Sequence, residues 1–358
     1  MELKPCPECG VPEIITGEHQ WLNNGDIVQK RHQSHRMVFI ETENLDPLFR
    51  GIAQIIGAEI EHMVITAGRR ACRIYLEAFV PADVREKIQN NELDYEPIDA
   101  AFRDLAGMNG SGRYDFIGKR YEHDEQDYCT VSITNPYSIP MNVSAHVGAI
   151  ECLTGVDQGY KYEEVSTDVY NITAFPSPHP VGLKERLWFD PYHHRDGDLE
   201  LERCGTCGGP KALSTYQWHP DQGIVVDKAT RRRIAIQGNA QLDPVFHELE
   251  AELGDTVPRV VVEAQRRFTR SGFYTMDDII DEEDFRTQLA LRGMGNLKQL
   301  EMKRKGMNMR VENVALPLIV IGHAQGLFEM GFDVDTTVDW ELSEEGDLQV
   351  EVKPMTYE

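Results

Sequence analysis

The sequence predicts an α+β protein built from two tandem repeats. Two observations support this: landmark residues recur at one fixed spacing, and each half combines β-hairpin patterns with amphipathic helices. Trp21 and Trp218 lie 197 residues apart (218 − 21), and Leu45-Asp46-Pro47 recurs as Leu242-Asp243-Pro244 at the same spacing. We therefore expect one structural unit to occur twice.

Each half opens with two cysteines in a C-x-x-C pattern, followed by a hairpin pattern. The first pair is Cys6 and Cys9, and the second is Cys204 and Cys207. Apolar runs around Asn-Gly or Asp-Gln-Gly are typical of β-hairpins. We predict one zinc-ribbon-like hairpin over residues 1–44 and a second over residues 201–241.

The cysteine pairs point to zinc, because two thiolates on one turn can bind the same tetrahedral ion. A structural zinc ion needs four ligands, and each half supplies two cysteines. Either both pairs share one ion, or histidines complete a separate site in each half. The histidines concerned are His19, His32 and His35 in the first half and His193, His194 and His219 in the second. We favour the shared site, since the cysteine pairs recur and the histidines do not; pairs that hold no metal, or that are redox-active, remain the alternative.

Two helices are expected after each hairpin. The first starts with Asp46-Pro47 or Asp243-Pro244, where the aspartate can cap the helix and proline suits its first turn. The second carries a repeated arginine pair that includes Arg69 and Arg266. Such arginines can bind a carboxylate or phosphate of a ligand, or they can pair with acidic neighbours on the helix surface.

A further apolar helix in each half contains one histidine among small residues. His146 follows Pro140 by six positions, and His323 follows Pro317 by six positions, so we expect the histidines in a common register. Gly148 and Gly326 permit close packing of this helix. Alternating strands close each half, which gives expected domains over residues 45–180 and 242–358 with a linker over 181–200.

Composition narrows the functional classes. The chain has 358 residues and a formal net charge of −24, which argues against binding nucleic acid through its phosphates. We expect no membrane span and no secretory leader, because no long apolar run occurs and the start is not basic and apolar. The expected location is the cytoplasm, where thiols stay reduced and cysteine pairs bind metal.

The end of each half resembles the small-molecule-binding domain of the 4-vinyl reductase family, which is related to haem-nitric-oxide-binding domains. The residues that carry the resemblance run from Val311-Glu-Asn313 through Gly322-His-Ala-Gln-Gly326-Leu-Phe-Glu329 to Gly346-Asp347-Leu-Gln-Val350. The resemblance implies a pocket between helices and sheet for a small apolar or aromatic molecule. The cysteine pair in the last hairpin of the better-known members is absent here, so their zinc arrangement does not transfer, nor does the resemblance make either histidine a haem ligand.

The expected function is therefore that of a zinc-binding sensor, carrier or accessory factor for a small ligand. The expected pocket residues are those repeated near the small-residue helix: His146, His323, Gly148, Gly326, Arg69 and Arg266. Each histidine has an alternative role as a hydrogen-bonded core residue. No catalytic motif is recognisable, which favours a protein that is not an enzyme. A subunit of, or accessory to, a reductase or other enzyme complex and a structural adaptor that binds a partner protein are the alternatives, and the assembly is expected to be a monomeric pseudo-dimer or a homo-oligomer.

Overall fold

The computed structural model describes residues 4–179, 192, 194–275 and 282–355. Within these ranges the chain forms helices and antiparallel sheets, which confirms the predicted α+β class. Residues 181–191 and 193 of the expected linker lie outside the described residues, and so does His193 as a candidate ligand. None of the described helices combines the length and apolar character that crossing a bilayer requires.

The first half contains a short ribbon, a run of helices, and two hairpins separated by a helix. Its elements are α1 (Glu13–Glu18), β1 (His19–Trp21), β2 (Ile27–Gln29), β3 (Arg36–Glu41), α2 (Thr42–Ile56), α3 (Glu61–Glu77), α4 (Ala82–Gln89), α5 (Glu96–Met108), β4 (Arg113–Arg120), β5 (Tyr128–Thr134), α6 (Ile139–Thr154), β6 (Gln158–Ser166) and β7 (Val169–Pro176).

The second half follows the same order of ribbon, helices and hairpins. Its described elements are a 3-10 turn (Lys211–Thr215), β8 (Tyr216–His219), β9 (Ile224–Asp227), β10 (Arg233–Gly238), α7 (Asn239–Leu253), α8 (Val257–Phe268), a π-helical turn (Thr269–Phe273), α9 (Glu282–Leu291), β11 (Asn296–Lys303), β12 (Gly306–Glu312), α10 (Pro317–Phe332), β13 (Thr336–Leu342) and β14 (Leu348–Pro354).

The expected boundaries at residues 45 and 242 fall inside helices. Strand β3 passes directly into α2 at Thr42, and β10 passes directly into α7 at Asn239. Pro47 therefore lies within α2 and not in its first turn. Ribbon and helix form one continuous segment in each half, because no loop separates the end of the strand from the start of the helix.

The two ribbons join into one six-stranded sheet in the order β1-β2-β3-β10-β9-β8. At its centre β3 and β10 run antiparallel, with Phe39 opposite Ile236 and Ile40 opposite Ala235. Ile236 follows Phe39 by 197 residues (236 − 39), the spacing that relates the landmarks in the sequence. The register therefore places an approximate twofold axis between Phe39 and Ile236, and the ribbons form a single layer.

The first long helix of each half packs on the other half. Helix α2 contacts α8, and α7 contacts α3. The contact is apolar: one buried cluster contains Leu48 and Ile52 of α2 together with Val261 and Ala264 of α8. Because burying a large aliphatic side chain contributes about 1.5–3 kcal/mol, this crossing is a major source of stability.

Two arginines at equivalent strand positions reinforce the crossing. Arg36 of β3 donates to the carbonyl oxygen of Val314 at 3.2 Å and also to that of Asn313 in the second half. Arg233 of β10 donates to the carbonyl oxygen of Asn135 at 2.6 Å in the first half. Each half therefore holds, through its arginine, the loop that precedes the last helix of the other half.

Each half ends in a four-stranded antiparallel sheet, in the order β4-β5-β7-β6 or β11-β12-β14-β13. Helix α6 lies between the first sheet and α3, and α10 lies between the second sheet and α8. A Cβ atom on Gly148 would lie 2.5 Å from the Arg69 carbonyl oxygen, and one on Gly322 would lie 2.5 Å from that of Val262. Small residues are thus required where these helices touch.

A second contact between the halves can be tested at Gly223, in the turn between β8 and β9, whose carbonyl oxygen accepts a hydrogen bond from the Gly112 amide at 2.9 Å. Gly223 has φ +66°, and an added Cβ would lie 2.1 Å from the Gly112 carbonyl carbon. We expect Gly223→Ala to lower the free energy of unfolding by about 3 kcal/mol, since overpacking adds to left-handed strain. Gly57→Ala is the matched control, with φ +77° but nothing within 4 Å of the added Cβ. Urea denaturation of both variants measures the difference, and equal losses would contradict the close approach.

Candidate functional site

The two cysteine pairs lie in tight turns of the same geometry. The Gly10 amide donates to the Cys6 carbonyl oxygen at 2.9 Å, and the Gly208 amide donates to the Cys204 carbonyl oxygen at 3.0 Å. Gly10 has φ 77° and Gly208 has φ 71°, a left-handed conformation that glycine adopts without a side-chain clash. The repeated C-x-x-C-G pattern therefore produces two matching knuckles.

The knuckles bring all four cysteines together, as the shared-site hypothesis requires. Cys6 Sγ lies 3.7 Å from Cys204 Sγ, Cys9 Sγ lies 3.6 Å from Cys207 Sγ, and all four sulfurs lie within 4.8 Å of one another. A tetrahedral ion with metal–sulfur bonds of about 2.3 Å separates its ligands by about 3.8 Å. Disulfides would need sulfurs about 2.05 Å apart. The donor set therefore fits one tetrahedral metal ion.

Local electrostatics favour a thiolate in this cluster. A hydrogen bond from the backbone at Cys9 lowers the pKa of Cys6 to about 7, whereas burial raises the pKa of Cys9 to about 12. A partly ionised Cys6 would offer a cation its first ligand, and binding would displace the protons of the other thiols. Outside the cluster, the Thr206 hydroxyl donates to the Glu8 carboxylate at 2.8 Å and ties one knuckle to the other.

The histidines considered as additional ligands are not part of this cluster. His19 is buried, with Nδ1 3.0 Å from the Ile15 carbonyl oxygen. His35 is also buried, and its ring packs 5.0 Å from the ring of Tyr75. Among the described residues, the group that could hold a metal consists of the four cysteines.

Arg69 and Arg266 form internal ion pairs and line neither of the cavities described below. Arg69 Nε lies 3.8 Å from a carboxylate oxygen of Glu151, and Arg266 Nη1 donates to Glu329 at 2.6 Å. Both glutamates are 1% exposed. Because removing one partner of a buried pair costs about 3–5 kcal/mol, these arginines lock α3 to α6 and α8 to α10.

His146 and His323 are not in the common register that the sequence predicts. Gly148 packs against the Arg69 carbonyl oxygen and Gly326 against the Arg266 carbonyl oxygen, so positions 178 apart (326 − 148) are equivalent on α6 and α10. His323 therefore corresponds to Ala145 of α6. A shift of one residue turns a helical side chain by about 100°, so the two histidines face different surroundings. The two glycines lie at helix contacts and do not line the cavities described below.

His146 lines a cavity of about 120 Å³ in the first half, which is partly open to solvent. The walls come from α3, α5 and α6 of the first half and from the end of β10 of the second half. They are mainly apolar or aromatic, with Phe102 and Tyr114 among them, and the charged lining residues are Asp99 and Arg103. Asp99 and Arg103 form an ion pair along α5. The cavity is therefore an apolar space with a small polar wall.

Hydrogen bonding fixes the protonation of His146. Its Nε2 lies 3.1 Å from the Cys129 carbonyl oxygen, which can only accept, so Nε2 carries a proton. Burial lowers the pKa of His146 below its ordinary value of 6.5, so the ring is neutral at pH 7. Nδ1 then has a lone pair, and no described residue donates a hydrogen bond to it. The cavity lining thus includes an unused acceptor.

His323 lies in a polar cluster of the second half. Its Nδ1 is 3.3 Å from the Thr269 hydroxyl, and its ring packs 4.5 Å from the ring of Tyr274. The Tyr274 hydroxyl donates to Glu41, whose carboxylate also accepts from Arg292 at 3.1 Å. A carboxylate from the first half thus reaches the cluster around His323.

A larger cleft of about 700 Å³ includes Asp243 and Trp340 in its lining. Arg195, on the same cleft, is already paired with Asp347 at 2.6 Å. The Asp243 carboxylate on this cleft accepts a hydrogen bond from Asn239. Both of these charged groups are therefore engaged within the protein.

Sequence reasoning missed Asp99, Arg103, Glu41 and Gly238. Asp99 and Arg103 lie on α5, whose counterpart α9 is not at the 197-residue spacing of the other landmarks and so could not be matched from the sequence. Gly238 follows Glu41 by 197 residues (238 − 41). A glutamate and a glycine at matching positions were therefore a signal in the sequence that the two halves differ there.

The burial of His146 predicts a pH dependence of stability. Because its folded pKa is lowered from 6.5, unfolding takes up a proton below that value. The stabilisation is therefore complete above pH 6.5 and declines as the pH falls toward the folded pKa. Relative to His146→Gln, we expect wild-type protein to lose up to about 1.4 kcal/mol per pH unit in this window. Urea denaturation at a series of pH values measures this, and parallel profiles would contradict it.

Comparisons with known proteins assign no family to this chain. No family model matches it, and no curated protein matches it. Similar solved structures include one from work on haem distortion in the H-NOX family, with 14% identity over 33% of this chain and 74% of that chain and a TM-score of 0.24. A point mutant of T. Tengcongensis H-NOX has 13% identity over 33% and 74%, with a TM-score of 0.23. A Cs H-NOX mutant with 4-cyano-L-phenylalanine has 13% identity over 41% and 85%, with a TM-score of 0.23. TM-scores this far below 0.5 establish neither a common fold nor a ligand.

Proposed function

We propose that this chain is a zinc-binding protein that holds one small apolar or aromatic molecule in the cavity beside His146. It acts as a sensor, a carrier or an accessory factor for that molecule. The observation that carries the proposal is a mainly apolar cavity whose wall includes a neutral histidine with an unused acceptor. The zinc ion has a separate role, which is to hold the two halves together.

The donor set supports zinc. Four thiolates in a tetrahedron are typical of structural zinc sites, which leave no open position for a substrate. Cys6 and Cys9 come from the first half, and Cys204 and Cys207 from the second. Because a closed site of this kind contributes its binding energy to folding, the ion would stabilise the docking of the two knuckles.

The cavity lining supports a small ligand of low polarity. Apolar and aromatic side chains dominate the walls, and the one ion pair is internally neutralised. An apolar cavity of about 150 Å³ is large enough to hold benzene. The comparable volume here, about 120 Å³, suits a molecule of about one ring.

A second candidate function is that of an enzyme subunit or accessory, in which the cavity moves a proton. The observation in its favour is that Asp99, Arg103 and His146 line the same cavity. A neutral histidine with a free ring nitrogen can accept a proton as a general base. Turnover of a bound compound, and not simple retention, would distinguish this candidate.

The zinc site predicts a stoichiometry of about one metal ion per chain. Elemental analysis of native protein should give this value. Cys204→Ser should reduce the metal content to near zero, because a single shared ion needs thiolates from both halves. The same variant should melt at a lower temperature.

Cys152→Ser is the matched control, since Cys152 is a buried cysteine outside the cluster. It should keep its zinc. Two ions per chain, or half of the metal retained in Cys204→Ser, would indicate separate sites in the two halves. Absence of metal from protein prepared without chelators would refute the zinc proposal.

The ligand proposal predicts that protein purified under native conditions carries a small molecule of low polarity. Mass spectrometry of the extract from denatured protein should detect it at a fixed ratio to the chain. After removal of that compound, phenol should raise the melting temperature in proportion to its saturation of the site. Protein that neither carries a compound nor responds to single-ring probes would refute ligand binding.

A further inference from the structure

The cavity beside His146 has a counterpart in the second half, and matching residues surround both places. Cys72 corresponds to Thr269 at the 197-residue spacing (269 − 72), and Ala145 corresponds to His323 at the 178-residue spacing of α6 and α10 (323 − 145). Both Cys72 and Ala145 line the cavity. The first half thus has an alanine where the second half has a histidine, and the Cys72 thiol where the second half has the Thr269 hydroxyl.

Two further positions show the same change across the central sheet. Arg292 corresponds to Asn109, because the Phe39 amide donates to the Arg292 carbonyl oxygen at 2.9 Å and the Ile236 amide to that of Asn109 at 2.7 Å. Gly238 corresponds to Glu41 and ends strand β10 where Glu41 ends β3. Asn109 and Gly238 also line the cavity. The open space in the first half is therefore where the second half has an arginine and a glutamate.

Glu41 is held firmly in its place. The residue is 5% exposed, and its carboxylate accepts from Arg292 at 3.1 Å, is hydrogen-bonded by Tyr274, and lies 3.9 Å from Arg232. Although burial opposes ionisation, Arg292 and the Tyr274 hydroxyl hold the pKa of Glu41 below its usual value. The carboxylate is thus ionised and fully engaged at neutral pH.

We propose that the chain binds one ligand, in the first half only, and that Glu41 is the built-in occupant of the equivalent space in the second half. Gly238 has no side chain to fill the first space. The space beside it is empty, since the closest atom to an added Cβ would be in the Gln241 side chain at 3.8 Å. This inference rests on the proposed function and assigns the stoichiometry and the residue that determines it.

The lining also defines the ligand class. Asp99 and Arg103 are paired with each other, so neither is available as the counter-ion of a charged ligand. His146 Nδ1 can accept one hydrogen bond. The ligand is therefore an uncharged molecule of about one ring with one hydrogen-bond donor, such as a phenol.

Calorimetric titration with phenol tests the inference. Wild-type protein should bind one phenol per chain, and benzene, which has no donor, should bind at least tenfold more weakly. Gly238→Met should weaken phenol binding at least tenfold by filling the cavity. Gly17→Met introduces the same side chain at an exposed position outside the cavity lining, with nothing within 4 Å of the added Cβ, and this matched control should bind normally. Ala106→Leu narrows the same cavity from α5 and provides a second blocking variant should Gly238→Met fold poorly.

The outcomes separate the two proposals. No binding of either probe by wild-type protein would overturn the proposed function. Two phenols per chain, or binding that survives both Gly238→Met and Ala106→Leu, would overturn the single-site inference while leaving ligand binding intact. Equal affinities for phenol and benzene would contradict the inference that the ligand donates a hydrogen bond to His146.

Glu41 itself can be tested by chemical rescue. Glu41→Ala removes a group equivalent to acetate from the cluster of Arg292, Arg232 and Tyr274. Acetate should raise the melting temperature of Glu41→Ala, whereas chloride at equal ionic strength should not, and neither salt should affect wild-type protein specifically. Acetate should stabilise Glu41→Gln less than Glu41→Ala, because the glutamine side chain still fills the space. If acetate does not stabilise Glu41→Ala, or stabilises both variants equally, Glu41 is not an occupant of this space.

Discussion

The antiparallel pairing of β3 with β10 is the constraint on which the rest of the structure depends. These strands lie at the centre of the only sheet that both halves share in the described part of the chain, and their register puts Phe39 opposite Ile236. Each strand continues without a loop into a helix that packs on the other half. The pairing therefore commits both segments to crossing over, and neither half can bury its helices without the other.

This crossing explains why equivalent residues serve opposite halves. Arg36 belongs to the first ribbon but holds the loop at Asn313, and Arg233 belongs to the second ribbon but holds the loop at Asn135. Gly238 and Glu41 lie at the ends of the same two strands. A change in one ribbon consequently alters the interior of the other half, which is how the two halves can share a backbone plan and still differ in their cavities.

The sequence predicted the elements better than their assembly. The landmarks around Trp21 and Trp218 led to the α+β class, because periodic patterns and capping residues are local signals. The crossing was missed, since the same apolar faces of α2 and α7 satisfy packing within a half or between halves. Arg69 and Arg266 were placed on the correct helices, but their partners Glu151 and Glu329 are distant in sequence.

The histidines show how a small error in register changes an interpretation. Counting from Pro140 and Pro317 made His146 and His323 equivalent, yet α6 begins at Ile139 and α10 begins at Pro317. Packing of Gly148 and Gly326 sets the true correspondence, which depends on contacts with α3 and α8 that are not local in sequence. By contrast, the cysteine knuckles are short local turns, and the proximity of their four thiols followed from the repeated spacing.

The knuckles and the cavity depend on the same interface. One buried cluster joins Val11 and Ile15 of the first knuckle region to Leu213 of the second and to Phe39 and Ile236 at the centre of the sheet. Ile236 and Gly238 in turn form the cavity wall contributed by β10. An ion bound by the four thiolates would join the segments that precede the two edge strands of that sheet, β1 and β8. A ligand would fill the space beside its central strands. Metal and ligand would then stabilise one arrangement of the two halves, because each needs the β3–β10 register to be in place.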